Sequence, residues 1–303
     1  MKNTPLISTI IPVHNGRVHL HTAIQSILNQ SFKDFELIII NDCSQDNTAE
    51  ILSHYYRVDP RINIINNKKN LGITKSLNKG LEIAKGKYIA RMDGDDKSMP
   101  DRFKIQVEFM EKNPDFILCG GQVKTEMTGF DKRKNTPENP DVIKAMLFFD
   151  NAIIHPSVML RWDILKKEGY KYDETMRVAQ DYELWVRLAE KYKLINLPEE
   201  LLEYRWHESN VSIIKRTEQK KNQFIAKIRQ LEKLIGRKVS ESEKSLHGQL
   251  TGNTEIKDDL SLNDLIVWSN NLIELNNEKS IYHPKIFRRI IKLIINNFKR
   301  QEM

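Results

Sequence analysis

The chain has 303 residues, 40% of them apolar, enough for a sizeable core in one large domain or a domain with an appendage. Two cysteines, Cys43 and Cys119, exclude a disulfide framework and a zinc spacing, and no run approaches the ~20 apolar residues of a membrane span. The net charge of +7 sits in the tail: residues 1–214 hold 30 Lys and Arg against 30 Asp and Glu, residues 215–303 hold 18 against 11, so the neutral body argues against a nucleic-acid partner.

Taken in chain order, LISTIIPV (6–13) is β-rich, and its short apolar run reads as a first strand, not a signal peptide. Leu20, Ala23, Ile24, Ile27 and Leu28 follow at helix spacing. FELIIIND (35–42) is a second strand whose unbroken apolar run implies burial on both faces. A helix over AEILSHYY, a strand at INIINN (62–67), a helix through Leu77 and Leu81 to Gly86, and a strand at KYIARMD continue the alternation. Such alternation with short connections predicts an α/β fold, a Rossmann-like, mostly parallel sheet flanked by helices, with ligands at the carboxyl ends of the strands. Those ends carry His14-Asn15, Asn41-Asp42 and Asp93-Gly94-Asp95-Asp96.

After Pro100 the pattern gives a helix, a strand at FILCGG (116–121), a polar mobile loop over 131–141, a strand at HPSVMLR and an amphipathic helix over AQDYELWVRLAEKY (179–192). From about residue 215 only helices are predicted, which divides the chain into a 1–214 domain and a 215–303 helical C-terminal region.

The first strand is followed by PVHNGR, so no dinucleotide fingerprint is present, and a phosphate-cradling lysine loop is also missing. Asp93-x-Asp95 starts like a calcium loop, but Ser98 and Lys104 stand where that loop needs Gly and Glu. DGDD taken alone is a solvated turn more often than a site. At the end of a parallel strand, its carboxylates suit Mg²⁺ or Mn²⁺ bridging to substrate phosphates. Gly94 is expected to serve a tight turn that a Cβ would hinder.

PVHN, ILNQSFKDFELIIINDCSQDNT, NLGITKSLNKGLEIAKGKYIARMDGDD, AQDYELWVRL and YRWHESNVS occur in order over about 210 residues. This set resembles the inverting glycosyltransferases of family 2, of GT-A fold, and especially bacterial enzymes of capsule, lipopolysaccharide and lipooligosaccharide synthesis. The resemblance does not cover the tail.

The resemblance implies that Pro12, His14 and Asn15 line the nucleotide pocket, His14 standing where the family often has a stacking tyrosine. It matches Asp42 to an acceptor of the uracil N–H, and brings Lys75 and Asn78 toward the nucleotide and donor sugar, Lys75 being otherwise a solvated helix charge. Asp93 and Asp95 match the pair that contacts ribose and metal, Asp96 reaches metal or donor sugar, and His207, amid Arg205, Ser209, Asn210 and Ser212, turns back toward the metal or diphosphate. Asp181 matches the general base that a sugar hydroxyl needs, with Gln180 in place of the usual Glu. Its alternative role is a helix cap. His155, Gln180, Glu183, Trp185 and Arg205 fall in the acceptor and donor-sugar region.

The implied reaction moves a sugar from a nucleotide diphosphate sugar, a UDP-sugar above all, to a hydroxyl of a growing cell-surface glycan, free or lipid-linked, with a divalent cation and inversion. A nucleotidyltransferase and a non-catalytic scaffold at the membrane stay open as alternatives. The tail ends in PKIFRRIIKLIINNFKRQEM, where Phe287, Ile290, Ile291, Ile294 and Phe298 keep helix spacing among Lys285, Arg288, Arg289, Lys292, Lys299 and Arg300. That helix lies on an anionic membrane surface, packs on its own domain, or meets a second copy in a homodimer. The expected location is cytoplasmic, peripheral at the inner face of the cell membrane.

Overall fold

The structure is a computed structural model that describes residues 4–127, 130–134, 136–208, 210–252 and 260–301. The N-terminal alternation is β1 (Ile7–Val13), α1 (Leu20–Leu28), β2 (Phe35–Asn41), α2 (Thr48–Val58), β3 (Ile62–Asn66), α3 (Ile73–Ile83) and β4 (Tyr88–Arg91). Every residue of β1, β2 and β4 is buried, as unbroken apolar runs require when helices cover both faces of a sheet. There follow β5 (Lys97–Ser98), α4 (Arg102–Lys112), β6 (Phe116–Met127), β7 (Phe130–Lys134), α5 (Pro140–Met146), a 3₁₀ turn (His155–Ser157), β8 (Met159–Arg161), α6 (Trp162–Lys167), α7 (Gln180–Ala189) and β9 (Lys193–Arg205). Four further helices complete the chain: α8 (Val211–Ile214), α9 (Arg216–Ile235), α10 (Glu241–Leu250), α11 (Leu262–Lys279) and α12 (Pro284–Gln301).

Among the described residues the strands form one sheet in the order β3-β2-β1-β4-β8-β6-β9-β5, with β7 paired to β6. β3, β2, β1 and β4 run parallel, while β8 is antiparallel to both β4 and β6. The expectation of a loop over 131–141 is corrected: β7 extends a hairpin from β6, and Asn139 caps α5 by accepting from the amides of Asp141 and Val142.

Strand alternation sends Ile10, Ile38 and Ile40 to one face, against Leu77, Leu81 and Trp185, and Ile7, Ile11, Leu37 and Ile39 to the other, against Ile24, Ile27 and Phe103. A third core joins the tail to the body: Phe148 and Phe149 pack with Leu231, Leu272, Phe287 and Ile291. The apolar stripe of α12 therefore faces inward, which selects packing on its own chain over the membrane for that stripe. Phe287 is fully buried and stacks on Tyr282, their ring centroids 4.9 Å apart. No helix among the described residues is long and apolar enough to cross a membrane.

Candidate active site

The parallel strands deliver their carboxyl ends to one edge. β1 ends in buried Pro12 and Val13, then exposed His14 and Asn15. His14 donates from Nδ1 to the Asp42 carbonyl oxygen at 2.8 Å, and Asn15, at φ 54°, accepts on Oδ1 from the Gln45 amide at 2.8 Å. Asn is among the few residues that tolerate this left-handed conformation. These contacts stitch the ends of β1 and β2 into one ledge.

Asp42 turns inward. Its Oδ1 accepts from Asn67 Nδ2 and the Leu71 amide, both at 2.8 Å, and its Oδ2 from the Gly72 amide at 2.8 Å. The carboxylate assigned to the base by resemblance is thus engaged in shaping the 67–72 loop. Asn78 is likewise inward, donating to the Tyr172 carbonyl at 3.0 Å and accepting from the Tyr172 amide at 3.1 Å, so it fastens α3 to the 172–174 segment. Lys75 stays exposed on the first turn of α3.

Asp93, Asp95 and Asp96 offer ligand oxygens all within 4.8 Å of one another. Arg91, the last residue of β4 and 2% exposed, holds Asp93 by a two-armed contact, Nη1 to Oδ2 at 2.7 Å and Nη2 to Oδ1 at 2.5 Å. Burial nonetheless keeps the Asp93 carboxyl above the usual range, with Arg91 opposing and Asp95 adding to it. Asp95 accepts from His207 Nε2 at 3.0 Å. Asp96 is fully buried: Oδ1 accepts from the Arg205 amide at 3.0 Å, and Oδ2 has no hydrogen-bond partner among the described residues. Burial first, then the charges of Asp93 and Asp95, hold the Asp96 carboxyl well above the usual range. The role expected of Gly94 is corrected: its φ is not in the left-handed region, and a Cβ there would meet the Val13 side chain at 3.4 Å, an ordinary contact.

This cluster fits a divalent cation. A buried carboxylate oxygen without a donor is costly unless a cation satisfies it. A set of carboxylate oxygens suits Mg²⁺ or Mn²⁺. Asp93, Asp95 and Asp96 would hold the ion, with Arg91 offsetting the charge of Asp93 and His207 orienting Asp95.

A second group of residues is carried by α7, linked to the cluster through the charge of Arg91. The N-cap of α7 is Ala179, at φ 60°, and Asp181 sits in the first turn, where its carboxylate accepts from the Tyr182 amide. Asn151 donates to Asp181 Oδ2 at 3.0 Å. Burial raises the Asp181 carboxyl above its ordinary value, against the Tyr182 amide and the charge of Arg91. His155, buried, shares a 2.8 Å hydrogen bond with the Tyr172 hydroxyl and meets Trp185 edge-on at 5.7 Å. Burial and Arg91 keep this imidazole neutral by lowering its pKa well below normal. Trp185 is fully buried and Gln180 nearly so, so both belong to the packing around α7. Glu183 also points away, paired with Arg187 at 2.8 Å and with Arg229 of α9 at 3.3 Å.

A third group comes from the end of β9. Arg205 donates from Nη1 to His19 Nδ1 at 2.9 Å and to the Asp95 carbonyl at 3.1 Å, and the rings of His19 and His207 stack at 5.6 Å. Asn210 ties this loop by accepting from the His207 amide at 2.6 Å; Ser209 lies outside the described residues and the Ser212 side chain is not described. The residues that sequence reasoning missed are Arg91, His19, Asn151 and Tyr172. Only Arg91 carried a local signal, a charge inside an apolar strand two residues before an aspartate.

The family described as Glycosyl transferase family 2 matches residues 8–167. The chain is 32% identical over 235 residues to the putative teichuronic acid biosynthesis glycosyltransferase TuaG of Bacillus subtilis, covering 76% of this chain and 90% of that one. It is 36% identical over 211 residues to the O-antigen biosynthesis glycosyltransferase WbnJ of Escherichia coli, covering 67% and 80%. The structure superposes on TarS residues 1–349 of S. aureus in complex with UDP-GlcNAc with a TM-score of 0.62 at 15% identity, over 97% and 92% of the chains, a likeness of fold.

Proposed function

The chain belongs to glycosyl transferase family 2 and is a glycosyltransferase, and from that premise we propose that it transfers a sugar, with inversion, from a UDP-sugar to a hydroxyl of a bacterial surface glycan carried on a lipid. The observation that supports the reading is the buried Arg91, which pairs with Asp93 of the aspartate cluster and whose charge also acts on Asp181, a carboxylate that accepts from Asn151.

Residues 1–214 form the catalytic domain and 215–303 a helical support. The ledge of Pro12, His14 and Asn15 receives the nucleotide base, with Asp42 acting through the 67–72 loop and Lys75 supplying charge beside it. A divalent cation, when bound, would supply relief for the negative charge that develops on the departing diphosphate. Arg91 keeps Asp93 ionised and oriented, and His207 fixes Asp95. Asp181 removes the proton of the acceptor hydroxyl as the bond to UDP breaks, and its raised carboxyl brings it closer to the affinity a base at neutral pH requires. His155, kept neutral, orders Tyr172 behind Asp181 without adding a competing charge. A UDP partner is supported by the UDP-GlcNAc complex of TarS, and a glycan acceptor by the names of TuaG and WbnJ.

The test is incubation with a panel of nucleotide sugars and Mn²⁺ or Mg²⁺. Release of UDP from one donor, with inverted anomeric configuration in the product by NMR, is the expected result. Pyrophosphate release from UTP and a sugar phosphate would overturn it.

A further inference from the structure

Among the described residues, four of the ten exposed large apolar side chains fall on one rim of the site: Val18 (70% exposed), Trp206 (46%), Ile213 (39%) and Ile214 (67%). Scattered exposed apolar residues are ordinary, but concentration on one edge marks a contact surface. The two loops involved are joined. His19, next to Val18, stacks on His207, next to Trp206, and accepts from Arg205. Asn210 then bridges His207 to Ile213 and Ile214, whose amides donate to its carbonyl at 2.9 and 3.1 Å.

Charge accompanies this rim. Arg17, Lys215, Arg216 and Lys221 are exposed beside it, and residues 206–221 hold four Lys and Arg against two Glu. Aliphatic side chains with a tryptophan, bordered by basic residues, are the composition that sinks into the headgroup boundary of an anionic bilayer. The stripe of α12 that offered the same composition in sequence is covered by the third core and is not open to such a surface.

We propose that Val18, just ahead of α1, with Trp206, just after β9, and Ile213 and Ile214 of α8, forms a membrane-docking lip that seats the mouth of the active site on an anionic lipid surface. The lip takes from the proposed function only that the acceptor is lipid-linked. Val18, Trp206, Ile213 and Ile214 enter the boundary layer, the neighbouring Lys and Arg pair with lipid phosphates, and His207 stays above on the aspartate cluster.

The experiment is co-sedimentation of the full chain with vesicles of phosphatidylcholine alone and of equal parts phosphatidylcholine and phosphatidylglycerol. Wild-type protein is expected to pellet with the anionic vesicles and stay in the supernatant with the neutral ones. The double variant Val18→Ser/Ile214→Ser is expected to lose about tenfold or more in partitioning, and Lys215→Glu/Arg216→Glu about fivefold per charge at low salt. Both variants keep the wild-type melting temperature in solution, which shows that they fold. Equal partitioning of wild type and both variants, or no wild-type binding to anionic vesicles, overturns the lip. A concentration-dependent dimer that the Val18→Ser/Ile214→Ser pair abolishes, without vesicle binding, also overturns it and makes the rim an interface between copies. Sedimentation needs no turnover, so failure of donor hydrolysis would count against the proposed function alone.

Discussion

Arg91 meets Asp93 through both terminal nitrogens, at 2.7 and 2.5 Å, from a position at the end of β4 where its own side chain is buried. The pair converts one of three crowded carboxylates into a neutral unit before any cation arrives. The Arg91 charge also acts to lower the Asp181 carboxyl, so one guanidinium bears on both carboxylates.

Arg91→Ala is expected to cost about 3 kcal/mol of stability, since removing one partner leaves a carboxylate in a poorly solvated cluster. Urea denaturation reads this. Arg91→Lys should recover part of the loss but not the two-armed geometry. Unchanged midpoints for both variants would refute the role.

Asp181→Asn should abolish transfer while raising stability. Loss of a general base lowers kcat about a hundred- to ten-thousandfold. The Asp181 carboxyl is raised in the fold, so the folded state favours its protonated form, and stability falls as pH rises through the folded value. An amide escapes that loss. The variant should therefore melt above the wild type at pH 7, with the difference closing at acid pH. In the wild type, transfer should decline on acidification at a pH above the usual carboxylate range.

Cation binding should track Asp96. With its carboxyl raised well above normal, the cation-free fold favours the protonated group, and that preference becomes a cost as pH rises through the folded value. Mn²⁺ binds the ionised form, so its stabilisation grows with pH. At a concentration about a hundredfold above its dissociation constant it contributes about 2.7 kcal/mol, read as a rise in melting temperature larger at pH 8 than at pH 5.5. Asp96→Asn should melt higher without metal and lose the shift. A pH-independent shift in the wild type would refute this.

Phe287→Ala tests the docking of the tail. Phe287 is fully buried against Phe148, Phe149 and Tyr282. Truncating a buried phenylalanine costs about 3–5 kcal/mol, so chemical denaturation should show a large loss. Leu293→Ala, exposed on the same helix, should change stability by less than about 0.5 kcal/mol.

The sequence by itself determined the sheet and its edge. Unbroken apolar runs in β1 and β2, helix-spaced apolar residues between them, and aspartates after YIARM follow from local periodicity and residue type, which a linear reading contains. It also placed Asp181 in the first turn of α7, because ordered motifs survive without their partners. Only the tertiary structure decided which way the side chains turn. Asp42 and Asn78 face inward because amides from the 67–72 loop and the Tyr172 backbone reach them from other parts of the chain. The α12 stripe is covered because Phe148 and Phe149, far away in sequence, supply the apolar surface it needs. His19 meets His207 for the same reason. Periodicity shows that a face must be satisfied; the partner that satisfies it is chosen by the folded chain, through contacts whose energy depends on distance in space.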